Sequence, residues 1–264
     1  MTTLQQRREE EPAMDEHTDN DTGTTEDWIP EPHRLAATAP LTWVCLGWRD
    51  FRAAPFESLT FGLIVTLIGV IIAAGSWISG NLLILYVTAG GFLLVGPLIA
   101  FALYATSRAL EQGRPPSVRT CLRSMRANLS NHVIFALVLL VLFLLWARAA
   151  AMVHVFFPAM AEPGWRSWVP FLGIGSAVGA VFAALAFAGS AFSLPMMMDR
   201  GTDVISAVIT SFRAVLSNRA TMAVWAALIV AGTVIGFATA FVGLAVTVPV
   251  LGYATWHGYR ATLP

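Results

Sequence analysis

The residues of this chain that could carry chemistry are few and scattered. Five histidines are present: His17 and His33 near the start, His132 and His257 at the ends of long apolar runs, and His154 inside one. A haem or copper centre inside a membrane needs several imidazoles converging at one depth, and this spacing supplies no such pair. Met196-Met197-Met198 beside Asp199 offers soft sulfur. Three consecutive helical residues point in three directions, so they read as packing rather than as a copper site. Cys45 and Cys121 are isolated, without zinc-site spacing. The sequence has no phosphate-cradling glycine loop, nucleophile elbow, zinc-protease helix or paired carboxylates within an apolar run. No catalytic residue, metal or cofactor is expected.

Arg148 is the one charge well inside an apolar run, and a charge at such a depth is a functional hypothesis by default. It falls about 24 Å along a helix from His132, near the far membrane boundary, where its side chain can snorkel to headgroups. A polar pathway shared with His154 and Glu162 is the alternative reading.

The elements that must position these residues follow from composition. The chain has 264 residues, 56% hydrophobic and 12% charged, with a mean hydropathy of +0.68. Soluble domains carry about 25% charged residues, and this mixture cannot fold around one aqueous core without exposing large apolar patches. A water-soluble enzyme is excluded, and a multispanning membrane protein is expected. The net charge of zero hides a segregation, because residues 1–31 sum to −8 and residues 32–264 to +8. All sixteen cations are Arg, a usage that fits a GC-rich bacterial genome.

Residues 1–40 are rich in Glu, Asp, Thr and Pro and lack an apolar h-region. They are expected to form a disordered acidic cytoplasmic tail. Residues 41–262 are expected to form the membrane domain. A bilayer crossing needs about 20 apolar residues, and candidate spans lie at about 58–78, 83–104, 133–157, 170–194, 221–238 and 240–257. The last two come from one uncharged stretch too long for a single crossing, split near Gly236–Gly243. The runs lack the alternation of a membrane barrel. The expected fold is all-α, a six-helix transmembrane bundle.

Arginine sets the orientation. One side would hold Arg49, Arg52, Arg108, Arg114, Arg119, Arg123, Arg126, Arg200, Arg213, Arg219 and Arg260, and the other Arg166, with or without Arg148. Both termini are therefore expected in the cytoplasm, with Cys45 and Cys121 as free thiols.

A repeat organises the chain. SMRANLSN at 124–131 matches SFRAVLSN at 211–218, each leading into a span, and Asp50-Phe51-Arg52-Ala53 is a fainter third copy. Pro97, Tyr104 and Arg108 have the same spacing as Pro249, Trp256 and Arg260, with Pro195 in the middle copy. The expected unit is a cytoplasmic amphipathic interfacial helix followed by a helical hairpin, used three times. The apolar stripes of these short helices would be Val44, Trp48 and Phe51; Val118, Leu122, Met125 and Leu129; and Ile205, Val208, Phe212 and Val215. Trp48, Arg49, Arg52, Arg119, Arg123, Arg126 and Arg213 would meet lipid headgroups or a partner, with Trp256 and Arg260 alongside. Ser217 or Asn218 would cap the helix that follows. Pro97, Pro195 and Pro249 should kink their helices. Gly175-x-x-x-Gly179 and Gly232-x-x-x-Gly236 would allow close intramolecular packing.

Gly47-Trp48-Arg49-Asp50-Phe51, Gly91-Phe92, Gly96-Pro97, Tyr104, Ser107-Arg108, Pro249, Leu251-Gly252, Thr255-Trp256-His257 and Tyr259-Arg260 resemble the signature of the domain-of-unknown-function 2189 family. These are bacterial integral membrane proteins, and the resemblance covers roughly residues 41–260. This chain departs from it at Tyr253, where many relatives carry His. The resemblance implies the bacterial inner membrane and no assigned activity. Some members carry a cytochrome c oxidase subunit label, which the histidine placement does not support for a catalytic subunit. The expected function is a noncatalytic scaffold, assembly or regulatory component of a membrane complex. The alternative is a small-solute transporter or channel with a cavity between the hairpins. Expected partners are the bilayer, anionic lipids and another membrane complex; nucleic acid is not expected.

Overall fold

The computed structural model of the chain describes residues 31–80, 99–127, 129–156 and 165–264. No strand occurs among them. The helices are α1 (Ala39–Ala53), α2 (Pro55–Ser79), α3 (described over 99–111), α4 (Val118–Ala127), α5 (Leu129–Phe156), α6 (Trp165–Ser190), α7 (Ser193–Arg200), α8 (Val204–Ser217), α9 (Arg219–Ala238) and α10 (Leu244–Thr262).

Four segments are long and apolar enough to cross a membrane: Pro55–Ser79, Leu129–Val153, Leu172–Arg200 and Arg219–Ala238. The expected span at 83–104 lies mostly outside the described residues. The expected sixth span corresponds to α10, which is not among the four. Its second half carries Tyr253, Thr255, His257, Tyr259 and Arg260, and it packs most closely on α1 and α2. The turn before it falls at 239–243, where Ala240 and Phe241 adopt left-handed φ of 52° and 69°. Thr239 Oγ1 accepts the Gly243 N–H there at 2.8 Å, and Thr66 of α2 donates to Phe241 O at 3.2 Å. The third crossing is not one helix. It breaks at residues 191–192, two residues before Pro195 joins the first turn of α7, a position where a missing N–H costs nothing.

Buried side chains gather at the arginine-bearing ends of the long helices. Phe61 and Val65 near the start of α2, Phe135 near the start of α5, and Met222 and Trp225 near the start of α9 are covered, as are Trp256 and Tyr259 near the end of α10. Trp43 of α1 meets Trp225 edge to face at 5.6 Å and 72°, a geometry the ring quadrupoles favour. The opposite ends are bare, with Trp77, Ile78, Val155 and Phe156 exposed. Exposed Leu137, Val141 and Leu144 make α5 apolar on faces that no described helix covers, as suits contact with lipid.

Glycine sets how closely α10 is held. A Cβ on Gly62 would overlap the Ala245 carbonyl oxygen, one on Gly47 the Val250 oxygen, and one on Gly258 the Trp43 ring. Proline explains the first contact. Pro249 inside α10 has no N–H to offer the carbonyl four residues earlier, and Gly62 lets α2 seal that oxygen with backbone. The carbonyl that Pro249 leaves without its helical partner is thus covered by the neighbouring helix. Gly232 and Gly236 pack on Leu251 and Leu244, the intramolecular role expected of that stripe. A Cβ on Gly175 or Gly179 would meet nothing closer than 3.8 Å among the described residues, so that stripe does not force a close approach there.

The folded body begins before residue 40. His33 N–H donates to Thr262 O at 2.9 Å, Leu35 N–H to Asn218 Oδ1 at 2.8 Å, and Thr221 Oγ1 to Leu35 O at 3.1 Å. Residues 31–38 are thus a strap across the α8–α9 junction rather than part of a disordered tail. Residues 1–30 lie outside the described part. Asn218 does not cap α9 with its side chain because that amide holds the strap.

In two of the short helices part of the apolar stripe stays outside the protein core. In α1 the buried residues are Pro40, Trp43, Gly47 and Asp50, while Trp48 is 43% exposed. In α8 they are Val204, Ala207, Thr210, Ser211 and Ala214, and Ile205 is exposed. Ser211 is tied inward, donating to Ala188 O at 2.7 Å and accepting from Phe192 N–H at 3.1 Å, which secures the break between α6 and α7.

Candidate functional site

Three carboxylates, one each from α1, α3 and α7, converge on the last two turns of α10. Asp50 is 3% exposed. Its Oδ2 accepts from Ser107 Oγ of α3 at 2.5 Å and lies 2.7 Å from His257 Nε2 of α10. Arg49 Nε stands 3.8 Å from its other oxygen. Glu111 of α3 accepts from Trp256 Nε1 at 3.0 Å and from Arg260 Nε at 3.2 Å. Asp199 of α7 accepts from Tyr259 OH at 2.9 Å and pairs with Arg108 at 3.3 Å and Arg260 at 3.5 Å.

Arg200 completes the set by donating to Tyr259 OH at 3.1 Å and to Leu263 O at 3.0 Å. Burial is the main force on the Tyr259 phenol and pushes its pKa up to about 12, with the Arg200 hydrogen bond opposing. It is therefore a neutral donor to Asp199 at physiological pH. One turn deeper, Tyr253 OH and Ser58 Oγ share a hydrogen bond of 2.8 Å, and Ser58 Oγ also donates to Ala54 O at 2.6 Å at the α1–α2 junction.

Helical periodicity explains the convergence. Trp256, Tyr259 and Arg260 stand three and four residues apart and share a face; His257, one position on, reaches α1. The arrangement resembles a Ser-His-Asp set only in its residue types. Ser107 and His257 both bond the carboxylate, whereas a nucleophile must bond the base that activates it. The cluster is a clasp holding α1, α3 and α7 against α10. Among the described residues no three His, Cys, Asp or Glu side chains are grouped so as to hold a metal ion.

The residues expected at the surface divide. Arg49, Arg52, Arg119, Arg123 and Arg213 are exposed, and Trp48 stacks on Phe51 at 5.4 Å with the rings 4° from parallel. Trp256 does not join them, and Arg260 is exposed but ion-paired. Trp256 is 1% exposed with its indole N–H on Glu111, so it is no interfacial belt residue, and Arg260 is engaged by Glu111 and Asp199. Arg148 is exposed on α5. The side chains of Arg126 and His154 lie outside the described ones. Met196, Met197 and Met198 are all buried in the core. His132 is buried with its ring 4.4 Å from that of Phe101, and neither nitrogen has a hydrogen-bond partner among the described residues.

Sequence reasoning missed Asp50, Ser107, Glu111 and Asp199 as members of one site. The signal lay in the quoted signature, since Asp50, Ser107-Arg108, Trp256-His257 and Tyr259-Arg260 all belong to the clasp.

Three grooves among the described residues are lined almost wholly by apolar side chains. One of about 320 Å³ lies between α5 and α6 beside Trp146 and Phe182. A second of about 290 Å³ lies between α2, α3, α9 and α10, with Tyr104 and Thr255 as its polar members. A third of about 310 Å³ lies between α5, α6 and α8.

Residues 84–199 match the family described as "Predicted integral membrane protein (DUF2189)". The match begins before the described part of α3 and ends within α7, so the signature segments around Asp50 and in α10 lie outside it. No curated protein and no solved structure matches the chain. With its several apolar helices long enough to span a bilayer, the chain is an integral membrane protein.

Proposed function

We propose that this chain is a noncatalytic scaffold, assembly or regulatory component of a membrane complex, set in the bacterial inner membrane with both termini in the cytoplasm. The observation that carries this reading is how charge is divided. Asp50, Glu111 and Asp199 are consumed by the clasp, and Asp203 caps α8 by accepting the Ser206 N–H at 3.0 Å. Arg52, Arg119, Arg123 and Arg213 are left exposed without a carboxylate partner among the described residues. A frame whose acids are mostly engaged within it and whose arginines stand free is suited to hold an acidic partner surface.

A transporter would need polar groups around a cavity near the membrane midplane. Apolar groove linings and the sealed Ala245 carbonyl favour the scaffold reading over that one.

Purification in mild detergent tests it. A stoichiometric partner should accompany the wild-type protein and be lost from an Arg119→Gln, Arg123→Gln, Arg213→Gln variant that keeps wild-type thermal stability. Recovery of the lone wild-type protein, or retention of the partner by the variant, would overturn the reading.

A further inference from the structure

The groove between α5, α6 and α8 has a length and size that identify an occupant. On α5 it runs from Phe135 to Leu145, ten residues or about 15 Å at 1.5 Å per residue. That is half of a hydrocarbon core about 30 Å thick, the depth of one leaflet. The groove is shallow and open along its side, about 310 Å³ over that length. A helix about 10 Å across does not seat in so small a space, whereas a single hydrocarbon chain does.

The lining is apolar throughout. Val138 and Leu145 of α5 face Leu185 of α6, and the groove is closed at one end by Val208 and Phe212 of α8. Gly189 of α6 lets Phe212 close that end, since a Cβ there would stand 3.3 Å from the Phe212 ring. The residue after Phe212 is Arg213, which is exposed and has no partner among the described residues. A cation stands free at one end of a chain-wide apolar slot.

We propose that this groove is a binding site for one acyl chain of an anionic phospholipid from the leaflet on the arginine-bearing side, with the headgroup phosphate at Arg213. An arginine can hold a phosphate through two N–H donors. The α8 backbone fixes Arg213 relative to Phe212, so chain and headgroup are read together. Arg213 also belongs to the partner surface proposed above, but the lipid site is tested in vesicles that hold this chain alone, so its failure and the failure of the partner reading are distinguishable.

The test uses the full chain in phosphatidylcholine vesicles doped with a phosphatidylglycerol or a phosphatidylcholine probe that carries a photoactivatable diazirine on its acyl chain. Cross-linked residues are mapped by mass spectrometry. The phosphatidylglycerol probe should label the 138–145 and 185–189 stretches in preference to the exposed faces of α2 and α9, and more than the phosphatidylcholine probe does. Arg213→Gln should lower that labelling about fivefold, the worth of one arginine at an anionic surface, and leave the phosphatidylcholine signal unchanged. Val141→Trp, which fills the slot from an exposed lining position, should abolish labelling there by either probe. Arg148→Gln, at the other end of α5, should have no effect. Equal labelling by the two probes, uniform labelling of all lipid-facing helices, or sensitivity to Arg148 in place of Arg213 would overturn the proposal.

Discussion

Asp50 gathers hydrogen bonds from Ser107 and His257, residues 57 and 207 positions away. Buried hydrogen bonds to a charged group contribute about 1.5–3 kcal/mol each, against about 1 kcal/mol for neutral ones. Asp50→Ala should therefore cost about 3 kcal/mol or more, and Ser107→Ala about 1–2 kcal/mol, with thermal unfolding in detergent as the measurement. Equal losses for the two variants would show that the carboxylate is not the hub. At the start of α8, the Ser206 N–H bonds the Asp203 carboxylate and holds its pKa below the ordinary value. A depressed acid stabilises the folded state above its unfolded pKa of about 4 and loses that contribution as pH falls through the folded value. Asp203→Asn should cap equally well at neutral pH and so remove this acid-dependent part of the loss in stability between pH 7 and pH 3. The two thiols should also part company. Burial raises the Cys121 thiol pKa and removes it from solvent, while Cys45 is exposed. Brief maleimide treatment near neutral pH, followed by mass spectrometry, should modify Cys45 well ahead of Cys121.

At the scale of elements, α10 is the helix on which α1 and α2 close, and glycine permits it. Gly62→Ala places a methyl against backbone, which cannot move aside, and should cost about 1–3 kcal/mol by overpacking. Gly75→Ala, on the same helix with nothing within 4 Å, should be neutral or gain up to about 1 kcal/mol of helix propensity. A lower melting temperature for the second than for the first would refute the close-approach argument. Helices such as α5 and α9 were legible in the sequence because hydropathy reports directly on what lipid will tolerate. The helix–helix seams of α1 and α8 were not legible, for the same reason: hydropathy picks out Trp48 and Ile205, which face outward. Beside a bilayer an apolar stripe can face lipid, and the helix–helix seam falls to small and polar residues such as Gly47, Asp50, Ala207 and Ser211. The clasp was hidden because its members are far apart in sequence. The strap at 31–38 was hidden because polar composition looks disordered until Asn218 and Thr221 are seen to bind its backbone.

For the whole molecule, the proposed orientation rests on the arginine bias. A reporter fused after Pro264 and another inserted within residues 157–164, at opposite ends of α5 and its neighbours, should report from opposite compartments. A shared compartment would remove the orientation on which the proposed partner surface depends.

The closest packing in the body joins residues 39–53 to residues 244–262. The ribosome delivers these two segments nearly the whole chain apart. At about 5–20 residues per second, α1 waits some 10–40 s for its mate. During that interval Asp50 has no His257, and the Gly47 groove has no backbone to receive. A nascent chain stalled before residue 244 would present an acid without its histidine and an open seam, the kind of surface that quality-control proteases and insertion chaperones recognise. The timing of translation is thus written into this fold: its first helix is not finished until its last one emerges.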